Sequence, residues 1–239
     1  MLRDLPLTPD EPRAITATLG PIQTGADNEQ LQQVTIDPEL SPEYAAHFAN
    51  TLFWHIDGAH DQTVPCFGGS FRPVRLAPEG GETEFLNAYA AYAGLGEADR
   101  ALVDGLRVVL SAATSGLSAV PDASDAQLAA WRRRPRAVQP LVWEHDTGRK
   151  SLMLGVSVSH VVGMAPADSY DLLCRLRTHM NRPDYVYRHA WRANYLGILD
   201  NTATLHPAPP FHPPSPRLLG PVTPKGSEAI RAPGAYSAG

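Results

Sequence analysis

Between Pro207 and Pro224 the chain packs eight prolines into eighteen residues. Proline fixes φ and has no N–H to give to a ladder, and central strands do not tolerate it at that density. Most of this stretch is expected to be a stiff loop, and the fold has to be built around it. The restriction runs through the whole sequence: 23 prolines and 19 glycines approach a fifth of the 239 residues. So many breakers favour short strands and loops over long helices.

A chain of this length is one large domain or two small ones. Its 43% hydrophobic content supports a sizeable core and argues against wholesale disorder. The balance of 25 acidic against 20 basic residues is a poor match for phosphate backbones. No run approaches the ~18 apolar residues of a membrane span, and Met1-Leu2-Arg3-Asp4 opens no apolar signal stretch. Cys66 and Cys174 are too few for a disulfide framework. The expectation is a cytoplasmic protein without nucleic-acid or membrane partners, with a homo-oligomer left open.

Apolar patterning divides the chain. Residues 1 to about 45 hold turn formers, a weak helical stretch after Thr8-Pro9-Asp10-Glu11 and little periodicity. Thr51 to Asp57 reads as a strand rich in aromatic and branched residues, closed by Gly58. Gly80-Gly81-Glu82-Thr83 reads as a turn into a helix, because Phe85, Ala88, Tyr89 and Tyr92 recur at helical spacing. Strands are expected at 106–112 and 141–145, with a short helix between them capped by Ser124 and ended by Pro135. Gly148 turns the second of these into a hairpin with Lys150 to Leu154. A helix over roughly 166–181 sets Leu173, Leu176 and Met180 on one face, and strands follow from Tyr185 to Trp191 and Tyr195 to Leu199. Without an internal repeat, the pattern describes one domain, 1–239, mainly β with two or three helices packed on one side of a sandwich or barrel. Its core spans about 45–226, with 227–239 as a tail.

Nine histidines invite a metal search. His55-Ile56-Asp57 is the sole His-x-Asp in the chain. Residues two apart on a strand share a face, so an imidazole and a carboxylate project together. They supply two ligands of a 2-His-1-carboxylate facial triad, the donor set of open-sided Fe(II) sites. His206 is the natural third ligand, because it follows an apolar strand and polar turn and sits at the mouth of the proline loop. Eleven residues on, Arg217 offers a planar fork for a carboxylate, to which a hydroxyl such as Thr83 can add a hydrogen bond.

These residues resemble the TauD/TfdA family of Fe(II)/2-oxoglutarate-dependent dioxygenases. The matching segments are Phe53-Trp54-His55-Ile56-Asp57-Gly58, Gly80 to Phe85, Ala90-Ala91-Tyr92, Thr147 to Leu152, Ser159 to Met164, Tyr187 to Arg192, Asp200-Asn201 through His206, and Arg217. They follow family order and spacing from about residue 50 to 226. The resemblance implies His55, Asp57 and His206 as iron ligands, and Arg217 and Thr83 as partners of the distal carboxylate of 2-oxoglutarate. It implies a double-stranded β-helix (jelly-roll, cupin-like) core with flanking helices. It also implies cofactors Fe(II), 2-oxoglutarate and O2, with oxidation of a small organic molecule, most simply hydroxylation, coupled to decarboxylation of 2-oxoglutarate to succinate. Asp57 favours oxygenation, since related halogenases lack that carboxylate.

Three departures qualify the resemblance. The family carries further N-terminal strands and a helix ahead of the segment Arg3 to Glu11, so this N-terminus reads as shortened. Many relatives place another arginine four residues after the cofactor arginine, where this chain has Pro221, which disfavours a taurine-like anion. Gly155 to Ser159 lacks the histidine of the phenoxyacetate enzymes. The competing readings are a non-catalytic relative acting as a binding or regulatory module, and a metal-dependent hydrolase or isomerase on a cupin-like barrel. Among other residues, His160 is expected to be a structural histidine. His60 and Asp61 are read as pocket mouth or solvated loop, and Phe53, Trp54 and Phe71 as pocket walls or core. Arg132-Arg133-Arg134 is read as a solvated face favoured by a helix C-terminus. Cys66 and Cys174 are read as small hydrophobes.

Overall fold

The computed structural model describes residues 1–23, 34–35, 52–59, 64–207 and 217–234. His60, Asp61 and most of the proline-rich loop lie outside the described residues. Every named strand pairs antiparallel. Strands β1 (Gly68–Arg75), β9 (Gly197–Asp200) and β11 (Leu218–Val222) form one sheet in the order β11-β1-β9. A second sheet, β10-β2-β8, joins β10 (Thr204–Leu205), β2 (Thr83–Asn87) and β8 (Val186–His189). A third is β4-β3-β7, built from β3 (Arg107–Leu110), β4 (Ala137–Pro140) and β7 (Val158–Val161). The pair β5 (Val142–Glu144) and β6 (Lys150–Leu152) forms the hairpin expected around Gly148, whose φ is +77°.

Prolines occur in the first sheet only where one flank carries no named strand among the described residues. Pro73 lies beyond the part of β1 that β9 covers, at a register shift, and Pro221 sits on edge strand β11. The proline-dense segment therefore yields a strand at its end.

Six α-helices are present among the described residues, more than the two or three expected: α1 (Glu11–Ala17), α2 (Ala88–Ala93), α3 (Glu97–Asp104), α4 (Ala112–Ala119), α5 (Asp125–Arg133) and α6 (Pro166–Met180). Four of them begin after a residue suited to capping. Asn87 and Ser111 accept from the N–H of Ala90 and Ala113, Ser124 forms a capping box with Gln127, and Gly96 precedes α3. The helical spacing that begins at Phe85 misleads by three residues. Thr83 to Leu86 pair with β8 and Asn87 with Thr204 of β10, and the Asn87 cap starts the helix only at Ala88. Tertiary pairing overrides local periodicity there.

The core gathers Leu86, Val108, Leu141, Trp143, Leu152 and Leu173, all at most 2% exposed. Each such side chain contributes about 1.5–3 kcal/mol by leaving water. Packed against β7 of the third sheet, Leu176 and Met180 of α6 are buried with Leu173, as their spacing predicts. No helix among the described residues is long and apolar enough to cross a membrane.

Candidate metal centre and carboxylate clamp

The turn Asp200-Asn201-Thr202 carries the chain from β9 in the first sheet to β10 in the second. Asp200 Oδ1 accepts from the Thr202 N–H (2.9 Å) and hydroxyl (2.7 Å), which closes the turn with a local side-chain bond. Directly after β10, His206 forms an isolated antiparallel bridge with His55, and its N–H donates to the His55 carbonyl at 3.1 Å. Cross-strand pairing at this bridge sets the two rings 4.4 Å apart.

Over its described part, Leu52 to Asp57, the strand expected from Thr51 to Asp57 is not formed. Leu52 and Phe53 lie in a turn and bend, His55 is a single bridge, and Asp57 to Ala59 turn again, with Gly58 at φ +76°. A neighbouring strand is replaced at Asp57 by one side chain. Asn201 accepts the Asp57 N–H at Oδ1 (2.9 Å) and donates from Nδ2 to the Asp57 carbonyl (3.0 Å), as a peptide group would. The same Nδ2 lies 3.0 Å from the Cys66 carbonyl and 3.2 Å from its Sγ. Asn201 is fully buried and locks the carboxylate's turn to the turn that delivers His206.

His55 and Asp57 still face one point, despite the lost strand. Asp57 Oδ1 lies 3.6 Å from His55 Nε2, and Oδ2 lies 3.6 Å from His206 Nε2. One donor atom from each residue lies within 4.8 Å of the others. The His55 Nδ1 contact to the Phe53 carbonyl, 2.8 Å, places the ring proton there and leaves the Nε2 lone pair toward Asp57. His206 is 7% exposed, and its Nδ1 is buried without a hydrogen-bond partner among the described residues. Two imidazoles and one carboxylate form an N/O donor set suited to a first-row divalent ion such as Fe(II), so the residues present fit the metal.

Burial pushes the neighbouring Cys66 thiol up to about 12, with the Asp57 charge adding to the effect. It is a protonated, inert side chain rather than a thiolate ligand. Phe71 stands 6.2 Å from the His206 ring, while Phe53 is 39% exposed and Trp54 donates from Nε1 to Asn181. Gly155 fits against the backbone of Trp54 and His55, where a Cβ would lie 3.2 Å from the Trp54 carbonyl. His160 is exposed on β7, beside the Ser159 hydroxyl.

Thr83 and Arg217 are also brought together. Arg217 Nη2 donates to Thr83 Oγ1 at 3.1 Å, with the two residues 2% and 8% exposed. Arg217 precedes β11 and Thr83 opens β2, so this bond links the first two sheets. The turn read at Gly80-Gly81 makes room for the arginine: both glycines have positive φ, and a Cβ on Gly81 would lie 2.9 Å from Arg217 Cδ. No local pattern in the sequence signals Asn201 or Trp191, because their contacts span distant parts of the chain.

The chain has the sequence and shape of known relatives. The family model described as taurine catabolism dioxygenase TauD, TfdA family, matches residues 1–221. The chain is 32% identical over 225 residues to the alpha-ketoglutarate-dependent 2,4-dichlorophenoxyacetate dioxygenase of Cupriavidus pinatubonensis, covering 86% of this chain and 77% of that one. It is 32% identical over 190 residues to an alpha-ketoglutarate-dependent sulfate ester dioxygenase of Pseudomonas putida, covering 77% and 63%. The crystal structure of a taurine dioxygenase from Burkholderia xenovorans superposes with a TM-score of 0.73 at 27% identity, over 95% of this chain and 76% of that one. With a family model spanning most of its length and relatives of this likeness, the chain belongs to the TauD/TfdA family of dioxygenases.

Proposed function

We propose that His55, Asp57 and His206 hold Fe(II), and that Arg217 and Thr83 bind the distal carboxylate of 2-oxoglutarate, in a 2-oxoglutarate-dependent dioxygenase acting on a small organic molecule. The observation that carries this reading is the convergence of three donor atoms within 4.8 Å from residues up to 151 positions apart. Bound Fe(II), with 2-oxoglutarate and O2, supplies the chemistry that oxidises a substrate C–H bond while the keto acid loses CO2 and becomes succinate. The protein's residues supply placement. Asn201 fixes the backbone of Asp57, and the Phe53 carbonyl fixes the His55 tautomer. Arg217 offers a buried charge to an anionic end of the cosubstrate. The three antiparallel sheets and the hairpin are read as a double-stranded β-helix core within one catalytic domain.

The substrate is read as apolar on its side nearest Phe71. Pro221 pairs directly with Phe71 across β1 and β11, so both side chains share a face, and the Phe71 ring faces His206. A cation is absent from position 221, so this part of the site supports an uncharged group better than a sulfonate.

Anaerobic addition of Fe(II) and 2-oxoglutarate is expected to produce the weak visible charge-transfer band of a chelated keto acid. Succinate formation on admission of air should follow. A folded wild-type protein that binds Fe(II) yet gives neither band nor succinate would overturn the proposal.

A further inference from the structure

Thr83 Oγ1 accepts two hydrogen bonds. Besides Arg217 Nη2 at 3.1 Å, the indole Nε1 of Trp191 donates to it at 2.9 Å. A hydroxyl has two acceptor sites and one hydrogen, so both lone pairs are taken and only the hydrogen is left to act. Among the described residues that hydrogen has no acceptor.

Trp191 is held for this task from both sides. Thr83 pairs with His189 across β2 and β8, which brings the chain just beyond β8 alongside Thr83. His189 packs edge-on against the indole at 4.6 Å and 89°. On β9, a Cβ at Gly197 would lie 2.8 Å from the ring, so glycine there leaves the space that the indole fills. Trp191 is 9% exposed, and water competes little for its N–H.

We propose that Trp191 is a positioning residue for the cosubstrate: with Arg217 it occupies the acceptor sites of Thr83 and commits that hydroxyl to donate to an anionic oxygen. A carboxylate accepts and cannot donate, so the arrangement selects the distal end of 2-oxoglutarate through hydrogen-bond direction as well as charge. This rests on the reading of Thr83 and Arg217 given under Proposed function.

A double-mutant cycle on Zn(II)-loaded protein, which does not turn over, tests it by calorimetric titration with 2-oxoglutarate. Trp191→Phe is expected to weaken binding roughly fivefold, the size of one modest hydrogen bond. Thr83→Val is expected to weaken it about tenfold or more, and the double variant no further than Thr83→Val alone. Losses that multiply would assign Trp191 a packing role and overturn the inference. In the Fe(II) enzyme the Trp191→Phe effect should fall on KM for 2-oxoglutarate and leave kcat unchanged.

A second measurement needs no variant. In 15N-labelled wild type with Zn(II), the assigned Trp191 indole resonance should shift on saturation with 2-oxoglutarate, and its exchange with water should slow. An unmoved resonance in a saturated protein would overturn the inference and leave the proposed function standing. Absence of any 2-oxoglutarate binding by metal-loaded wild type would overturn both.

Discussion

Around His55, Asp57 and His206 the carboxylate keeps 50% of its side chain in solvent, whereas Thr83 and Arg217 are 8% and 2% exposed and bonded to each other. Backbone organises the first region: a single bridge, two turns and one side-chain amide aim groups at a shared point. Direct side-chain bonding organises the second, with a glycine notch beneath the arginine and an indole beside the threonine. The contrast teaches that the Thr83–Arg217 pair is preorganised by the protein. The three donor groups are only aimed at one point, where the proposed ion would draw them together. Substitutions should therefore separate the two proposed functions cleanly.

The largest effect is expected from Asp57→Ala. It removes the sole carboxylate of the donor set, and Fe(II) affinity should fall by more than about 100-fold, above the span typical of supporting residues. The side chain is half exposed, so the thermal midpoint should stay close to wild type. Retained tight Fe(II) binding in equilibrium titrations would remove Asp57 from the cluster.

Asn201→Ala comes next. It strips the peptide-like partner from Asp57 and leaves buried backbone groups unsatisfied. Fe(II) affinity should fall about 10–100-fold, as outer ligand supports do, with about 1–3 kcal/mol lost from stability. Denaturant unfolding and metal titration of one preparation read both. A stability loss without a change in metal affinity would show that the turn aims Asp57 unaided.

Gly81→Ala acts on the other region. The added methyl would crowd Arg217 Cδ in a backbone of φ +77°. The KM for 2-oxoglutarate should rise about tenfold, while the Fe(II) dissociation constant should not move, and the left-handed backbone adds about 1 kcal/mol of strain. Equal damage to both constants would mean that the two regions are not independently built.

The sequence made some of this visible and hid the rest for physical reasons. His-x-Asp spacing correctly placed His55 and Asp57 facing one point, although the strand assumed to do so is only a bridge between two turns. The glycine pair at 80–81 was readable as a turn, but the arginine that needs the space lies 136 residues later. The hairpin at Gly148, helix α6 and the Ser124 cap follow from local chemistry and were readable as such. At Phe85 local periodicity pointed to helix and pairing with β8 prevailed. Asn201 and Trp191 act through partners at separations of 144 and 108 residues, which no window along the chain samples.

The smallest effect sets both regions against a buried histidine of the core. His145 is 1% exposed, stacked on Trp143 at 4.6 Å and met edge-on by Tyr89 at 4.9 Å. Its Nε2 contacts the Ser151 hydroxyl at 2.8 Å, and its Nδ1 lies 3.3 Å from Glu228 Oε1. Burial holds its pKa below the ordinary 6.5, and Arg149 adds to that. Glu228 and, more weakly, Asp200 pull the other way without reversing it. Burial, with the positive charges of Arg3 and the N-terminus, likewise lowers His189. A histidine with a depressed folded pKa binds fewer protons in the native state than in the unfolded one near pH 6.5. Stability from these two groups is thus complete above about pH 6.5 and declines as pH falls toward their folded values. The thermal midpoint should drop by a few degrees between pH 7.5 and 5.5. His145→Gln, less stable at pH 7.5, should lose less on acidification, with the His189 share of the slope remaining. At pH 7.5 this variant should bind Fe(II) and 2-oxoglutarate as wild type does, because His145 belongs to neither region. Parallel midpoint curves for variant and wild type would show that the buried imidazole does not set the acid limb.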